Sequence, residues 1–153
     1  MTLAFVALGA NLGNARATVL QAMDDLAALP RTRLTARSSL YRSAPVDAVG
    51  PDFINAVVAL ETTLEPETLL VEMQRIEQGA GRERPYRNAP RTLDLDLLHY
   101  GDARMDTPTL TVPHPRIAER AFVLLPLAEI APSRVTPQQL AAVASQAIER
   151  LDG

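Results

Sequence analysis

Two aspartates, Asp94 and Asp96, stand out because they alternate with leucines between residues 91 and 100 (RTLDLDLLHY). The alternation predicts a β-strand, on which successive side chains point to opposite faces. One face carries both carboxylates, about 7 Å apart at ~3.3 Å of rise per residue, and the other carries leucines that need a core. A bound cation best explains two like charges this close, and oxygen ligands suit Mg²⁺, which usually takes one or two carboxylates plus substrate phosphates. The alternative is a solvated pair on an exposed edge strand.

Four arginines lead into this strand, within ten positions of one another: Arg82, Arg84 and Arg87 before it and Arg91 at its start. They follow the segment Gly79-Ala80-Gly81, and the stretch up to Pro90 has little apolar content, so it is predicted to be a loop. Arginine presents a planar fork of donors that matches phosphate oxygens. Arginines leading into two aspartates suit a metal-bound polyphosphate, although a solvated, mutually neutralising run of charges is the alternative.

An aromatic ring and an amide come together at Phe53 and Asn55, which share one face of a predicted strand at residues 53–61. An amide donates and accepts hydrogen bonds at once, as a flat heterocycle with mixed donors and acceptors requires. An edge aromatic beside an asparagine that caps a turn is an equally good interpretation of this pair.

The composition limits the classes of protein and site. The 153 residues suit one domain, and the net charge of −3 gives no overall attraction to nucleic acid or anionic membranes. No cysteine is present, and all 15 basic residues are arginine, so a thiolate metal site and a catalytic lysine are excluded. We find no secretion signal and no apolar stretch of ~20 residues, so a cytoplasmic location with no membrane partner is expected.

The periodicity predicts an α+β fold with elements in the order βαββαβ and a C-terminal extension, which is the ferredoxin-like arrangement. In that arrangement, helices cover one face of an antiparallel sheet and the other face is free for ligands. The predicted strands are residues 2–8, 31–41, 53–61, 91–100 and a short one at 110–112; the predicted helices run from 14 to 29, from 66 to 79 and from 137 to about 151.

Four blocks in this order resemble the 6-hydroxymethyl-7,8-dihydropterin pyrophosphokinase family of the folate pathway. They are residues 7–13 (ALGANLG), 53–56 (FINA), 90–98 (PRTLDLDLL) and 112–116 (VPHPR). The resemblance takes in nearly the whole chain. It implies a single catalytic domain over residues 1–153, expected to be a monomer, which transfers pyrophosphate from ATP to the hydroxymethyl group of the pterin and releases AMP.

The resemblance also implies roles for individual residues. Asp94 and Asp96 match ligands of two Mg²⁺ ions, and Arg82 and Arg91 match catalytic arginines that contact the polyphosphate. The positions that match nucleotide contacts are Gln74, Glu77, Arg84, Leu97, Thr111, His114 and Arg120. The positions that match the pterin site are Ser43, Pro45, Val46, Phe53, Asn55 and Phe122, with the two phenylalanines stacking on either side of the ring.

The chain departs from the family pattern at several positions near these sites: Ala44, Phe53, Asn88, Thr109 and Pro115. The departures bear on the affinity for the adenosine part of the nucleotide and on the dynamics of the loop that carries Arg82, Arg84 and Arg87. They leave the reaction class unchanged.

Two other functions are compatible with parts of the sequence. A phosphohydrolase could use Asp94 as a nucleophile, but such enzymes usually place this motif near the chain start and add a lysine, which this chain lacks. A non-catalytic ligand-binding module of the same fold would not need two aspartates and four arginines together.

Overall fold

The computed structural model describes residues 1–45, 50–80 and 93–151. No helix in these ranges is long and apolar enough to cross a membrane. The helices and strands in chain order are β1 (Thr2–Ala10), α1 (Ala15–Ala27), β2 (Thr32–Arg37), β3 (Tyr41–Ser43), β4 (Phe53–Thr62), α2 (Pro66–Ala80), β5 (Asp94–Tyr100), β6 (Met105–Asp106), β7 (Thr111–Val112), α3 (Ala121–Ile130), α4 (Pro137–Ala142) and β8 (Ile148–Arg150).

The main sheet is antiparallel and has β1 near its centre. Among the described residues its strand order is β5-β1-β4-β3-β8, β2 also pairs with β4, and β6 and β7 form a separate pair. In the register, Gly9 of β1 lies opposite both Asn55 of β4 and Asp94 of β5. Residues that pair directly across antiparallel strands share a face, so this row crosses one face of the sheet.

The first face of the sheet packs against α1 and α2, as the helical periodicity predicts. Val6 and Leu8 of β1 meet Met23 of α1 and Met73 of α2 in one buried cluster, which also takes in Leu93, Leu95 and Leu97. The start of α1 is capped as predicted, because Asn14 Oδ1 accepts a hydrogen bond from Ala17 N at 3.1 Å.

The second face is not free of helices, so this part of the prediction was wrong. Helix α3 packs there, and Val123, Leu124 and Leu127 form a second buried cluster with Phe5 and Val57. The apolar segment from residue 121 to 127 had no assigned structure at the sequence level. It forms a helix because apolar residues on all its sides find cover from the sheet and from α4.

The predicted strand at residues 31–41 is divided into β2 and β3 by a break at Ser38. The hydroxyl of this buried serine accepts from Val57 N at 2.9 Å and donates to Ser39 O at 2.7 Å, so the backbone stays satisfied where the ladder is interrupted. The register between β2 and β4 also shifts between Leu34 and Ala36. Alternation alone does not reveal such an irregularity.

The predicted C-terminal helix is wrong beyond its first turns. Helix α4 ends at Ala142, and only Ile148–Arg150 form β8, which pairs antiparallel with β3. The start of α4 has a capping box between Thr136 and Gln139, which explains the helical signal. Strand pairing and the packing of Ile148 against the second cluster outweigh helix propensity after that point.

Candidate active site

A cleft of about 920 Å³ opens on the α3 side of the sheet. Its floor comes from β1, β4 and β5, and its walls come from β3, from the segment that leads into α3 and from the loop before β8. The residues that line it are Ala7, Leu8, Gly9, Ser43, Ala44, Phe53, Asn55, Asp94, Asp96, His114, Pro115, Arg116, Glu119, Arg120, Phe122, Val123 and Gln146.

Asp94 and Asp96 both line this cleft, and the predicted division of faces on their strand is confirmed. Leu95 and Leu97 point away from them into the core. The backbone N–H of Leu95 donates to Glu77 Oε2 on α2 at 2.9 Å, so the strand is held from the helix side as well. The carboxylates are therefore carried by a strand whose position is fixed by packing and by this hydrogen bond.

The aspartate pair fits a hard divalent cation that shares its ligands with a substrate. No group of three or more His, Cys, Asp or Glu side chains suited to a metal occurs in the described parts of the chain. Two carboxylates alone leave most positions of an octahedral ion to water and phosphate oxygens, which is how Mg²⁺ is usually held. The side chain of Asp96 is 43% exposed and so is accessible to such an ion.

Asn55 lies on the other side of Gly9 and is 3% exposed. Its Nδ2 donates to Ser43 Oγ at 2.7 Å, which fixes the orientation of the amide. A Cβ at Gly9 would lie 3.3 Å from Asn55 Oδ1 and 3.9 Å from Phe53 Cδ1. The absence of a side chain at Gly9 thus keeps space open next to both the amide and the ring.

Two phenylalanines from different parts of the chain line the same cleft, Phe53 from β4 and Phe122 from α3. The guanidinium carbon of Arg120 lies 5.4 Å from the centroid of the Phe122 ring, which is a cation–π contact. The cleft thus has aromatic side chains on its floor and on its α3 wall.

His114 faces the aspartates from the loop before α3. Its Nε2 is 3.8 Å from Asp96 Oδ1, and its Nδ1 accepts from Arg116 N at 3.1 Å. Burial lowers the pKa of His114; the charge of Asp96 opposes this effect, and Arg120 and Arg116 add to it. The imidazole is therefore neutral near pH 7, and because Nδ1 accepts a hydrogen bond, its proton is on Nε2, on the side of Asp96.

The structure brings only some of the predicted site residues together. Of the predicted pterin positions, Ser43, Phe53, Asn55 and Phe122 line the cleft; Pro45 is not among the lining residues. Of the nucleotide positions, His114 and Arg120 line it, whereas Gln74, Glu77, Leu97 and Thr111 lie on α2, β5 and β7, around the strand of the aspartates. The side chain of Leu97 is buried in the core, so only its backbone is available to a ligand. Val46, Arg82, Arg84 and Arg91 lie outside the described residues.

Several lining residues had no role in the sequence analysis, among them Ala7, Gly9, Arg116, Glu119 and Gln146. Gly9 directly follows the predicted strand at residues 2–8, and a glycine at the end of an apolar strand is a signal of close approach by another group. Gln146 was assigned to the C-terminal helix. No local pattern indicates its position, because its partners are 25 and 27 residues away.

Residues 5–132 match the family model described as 7,8-dihydro-6-hydroxymethylpterin-pyrophosphokinase (HPPK). The chain is 47% identical, over 97% of its own length and 96% of the relative's, to a 2-amino-4-hydroxy-6-hydroxymethyldihydropteridine pyrophosphokinase of Pseudomonas aeruginosa. It is 42% identical to a protein of the same name from Methylorubrum extorquens, over 99% and 100% of the two lengths.

The fold is similar to that of the solved Plasmodium falciparum HPPK-DHPS, wild type with SDX-DHP, with a TM-score of 0.64 at 15% identity. This similarity covers 86% of the chain but only 40% of the solved one, so the chain spans less than half the length of that protein. The family model and the close relatives, together with a cleft that holds two aspartates opposite an amide and two rings, lead to one conclusion: the chain belongs to the 7,8-dihydro-6-hydroxymethylpterin-pyrophosphokinase family and is a pyrophosphokinase.

Proposed function

We propose that the protein transfers the pyrophosphoryl group of ATP to the hydroxymethyl group of 6-hydroxymethyl-7,8-dihydropterin in folate biosynthesis, with Mg²⁺ as cofactor and AMP as the second product. The observation that carries this proposal is the row Asp94–Gly9–Asn55 across three paired strands. In this row a carboxylate and an amide line one cleft, separated by a residue without a side chain, which supports binding of a metal-bound polyphosphate on one side and of a heterocycle on the other.

The pterin occupies the side of Asn55 in this proposal. The ring system stacks between Phe53 and Phe122, and the amide of Asn55 recognises its edge of alternating donors and acceptors. The hydrogen bond to Ser43 uses one N–H of the amide, so an amide N–H and the carbonyl oxygen can serve the ligand. The hydroxymethyl group then extends from the ring toward Asp94.

The polyphosphate occupies the side of the aspartates. Asp94 and Asp96 would hold Mg²⁺, for which we expect two ions, and the bound metal would supply positive charge to the phosphate oxygens. The substrate hydroxyl oxygen bonds to the β-phosphorus, the bond from that phosphorus to the bridging oxygen of the α-phosphate breaks, AMP leaves with that oxygen, and the hydroxyl proton is released to solvent. No side-chain nucleophile is required. Arg82 and Arg91, which lie outside the described residues, are proposed to contact the transferring group.

The nucleotide base is proposed to lie along β5 near Leu97, where β5 is flanked by α2, which carries Gln74 and Glu77, and by β7, which carries Thr111. Two of these residues already have partners in the fold: Glu77 Oε2 accepts from Leu95 N, and Thr111 Oγ1 donates to Asp106 Oδ1 at 3.2 Å. Their side chains therefore shape this region as well as offering contacts. His114 and Arg120 connect it with the cleft.

The decisive experiment mixes the purified protein with ATP, Mg²⁺ and the hydroxymethyl dihydropterin and identifies the nucleotide product. AMP together with the diphosphorylated pterin supports the proposal. ADP indicates a different transfer, phosphate release indicates a phosphohydrolase, and binding without turnover indicates a non-catalytic module.

The same assay tests the metal ligands. Asp94→Ala and Asp96→Ala should each abolish AMP formation, and a chelator should do the same to the unmodified protein, because the polyphosphate then lacks its cation. Asp24→Ala is the matched control, since Asp24 is exposed on α1 and is not among the lining residues. Full activity in either of the first two variants would remove the metal assignment.

A further inference from the structure

Gln146 links the loop before β8 to the backbone on both sides of Arg120. Its Oε1 accepts a hydrogen bond from Ala121 N at 2.9 Å, and its Nε2 donates to Glu119 O at 2.8 Å. A backbone N–H can only donate and a backbone carbonyl can only accept, so these two partners fix the orientation of the amide.

The start of α3 depends on this amide because it has no cap of its own. Arg120 is the N-cap residue, its backbone is extended (φ −127°, ψ 111°), and no side-chain cap hydrogen bond is present there. The first N–H groups of a helix have no partner within the helix. Gln146 supplies the partner for the N–H of Ala121, a residue that is 1% exposed.

Gln146 is itself held from two sides. Its backbone N donates to Val143 O at 3.0 Å after α4. Two residues later β8 begins, and Ile148 pairs with Ser43 of β3. The amide therefore connects the strand that carries Ser43 to the helix start that carries Phe122, and these two residues lie on different walls of the cleft.

We propose that Gln146 is a positioning residue for pterin binding, which acts by holding the segment 119–122 so that the ring of Phe122 faces the cleft. This inference rests on the proposed function. Gln146 lies at the rim of the cleft and is exposed. Its oxygen and one N–H are engaged with the backbone on both sides of Arg120, and in this proposal it acts through Phe122.

The test is a double-mutant cycle measured as pterin affinity by calorimetry. Gln146→Ala should weaken pterin binding about five- to tenfold, the fold-change that ~1–1.4 kcal/mol produces. In a Phe122→Ala background the same substitution should change affinity less than about twofold, because residues that act through each other are not additive. Gln138→Ala, an exposed glutamine on α4, should leave the affinity unchanged.

Gln146→Glu provides the conservative comparison. A carboxylate can still accept from Ala121 N but cannot donate to Glu119 O, so its loss of affinity should lie between the unmodified protein and Gln146→Ala. Hydrogen exchange gives a readout that needs no ligand: the Ala121 amide should exchange faster in Gln146→Ala than in the Gln138→Ala control.

Two results would overturn the inference while leaving the proposed function intact. One is unchanged pterin affinity in Gln146→Ala; the other is an equal loss in the presence and absence of Phe122, which would mean a direct contact with the ligand. If the unmodified protein neither binds the pterin nor forms AMP, the proposed function fails, and this role fails with it.

Discussion

The space above Gly9 is the single-residue feature on which the cleft depends most directly. Gly9→Ala would place a methyl group 3.3 Å from Asn55 Oδ1, tighter than an ordinary van der Waals contact, and inside the space between the amide and the aspartates. We expect pterin affinity to fall about tenfold or more, ~1.4 kcal/mol, because the added group occupies volume that the ligand needs.

The fold should tolerate this change, since Gly9 is not among the glycines with a positive φ. The free energy of unfolding should change by less than ~1 kcal/mol. Calorimetry for the ligand and urea unfolding for stability separate the two effects. Normal pterin affinity in a folded Gly9→Ala protein would show that the ligand does not lie over this residue.

Asn55 and Asn14 can be compared as a matched pair. Asn55 donates a hydrogen bond to Ser43 and lines the cleft, whereas Asn14 accepts one from Ala17 and is not among the lining residues. Asn55→Ala should weaken pterin binding far more than ATP binding, since an unpaired buried polar group on the ligand costs ~1–3 kcal/mol. Asn14→Ala should leave pterin affinity unchanged and cost ~1 kcal/mol of stability through loss of the α1 cap.

Both variants are compared by pterin and ATP titration calorimetry alongside urea unfolding. Equal losses of pterin and ATP affinity in Asn55→Ala would place Asn55 in a general structural role, and the assignment of the heterocycle to this side of the cleft would be wrong.

At the level of elements, Glu129 joins three of them that are distant in sequence. From α3 it accepts hydrogen bonds from Tyr41 Oη of β3 at 2.6 Å and from the Ser39 hydroxyl at 3.0 Å, and it lies 3.6 Å from Arg150 of β8. Burial raises the pKa of Tyr41 to about 12, with further contributions from the hydrogen bond and charge of Glu129. Burial alone would raise the pKa of Glu129, but the hydrogen bonds from Tyr41 and Ser39 and the charge of Arg150 lower it overall.

These shifts predict a pH dependence of stability at both extremes. The pKa of Tyr41 in the folded state lies above its ordinary value near 10, so its contribution is complete below pH ~10 and is lost as the pH rises toward 12. The pKa of Glu129 is lowered, so its contribution is present at neutral pH and is lost as the pH falls through the folded-state value.

Tyr41→Phe should therefore cost about 1 kcal/mol or more at pH 7, and the difference from the unmodified protein should shrink as the pH passes 10. Urea unfolding over a pH series measures this. Glu61→Gln is the control, because its pair joins the exposed side chain of Arg33 on β2 to the half-buried side chain of Glu61 on β4 and should be worth less than ~1 kcal/mol. A constant difference at all pH values would show that the Tyr41 hydroxyl does not titrate differently in the folded state.

The elements also show what the sequence could reveal. The alternation around Asp94 and Asp96 identified β5 and both of its faces. A strand whose one face packs against a core has an apolar residue at every second position. The same reasoning failed for β8. Its three residues carry too little pattern to identify, and the pairing with β3 that stabilises them joins positions more than a hundred residues apart.

For the whole molecule, the second face of the sheet is the part of the fold that the sequence predicted least well. Sequence periodicity placed α1 and α2 correctly because each has a clear apolar side, but α3 is apolar on all sides from residue 121 to 128 and so shows no polar face over that length. Arg120 and Phe122, which line the cleft on the side of α3, were predicted as site residues only from the family resemblance. Gln146, which has neither a local pattern nor a matching motif, was missed.

Ligands should stabilise the entire fold, because the cleft brings together strands, a helix start and the loop before β8. A ligand that binds only the folded state adds about 2.7 kcal/mol at a concentration one hundred times its Kd. Thermal unfolding should therefore shift upward with the pterin and, separately, with ATP and Mg²⁺. Asn55→Ala should lose the shift caused by the pterin at the same concentration and keep the one caused by ATP. Loss of both shifts would show that the two ligands do not use separable parts of the cleft.

The central position of β1 has a consequence for how the protein folds as it is synthesised. β1 is synthesised before its partners, because it pairs with residues 54–62 of β4 and 94–100 of β5, which come later in the sequence. Closing such long loops before any contact forms slows folding. The cleft is complete only when Gln146 and β8 have left the ribosome, so we expect shorter nascent chains to expose the apolar second face and to need protection from aggregation.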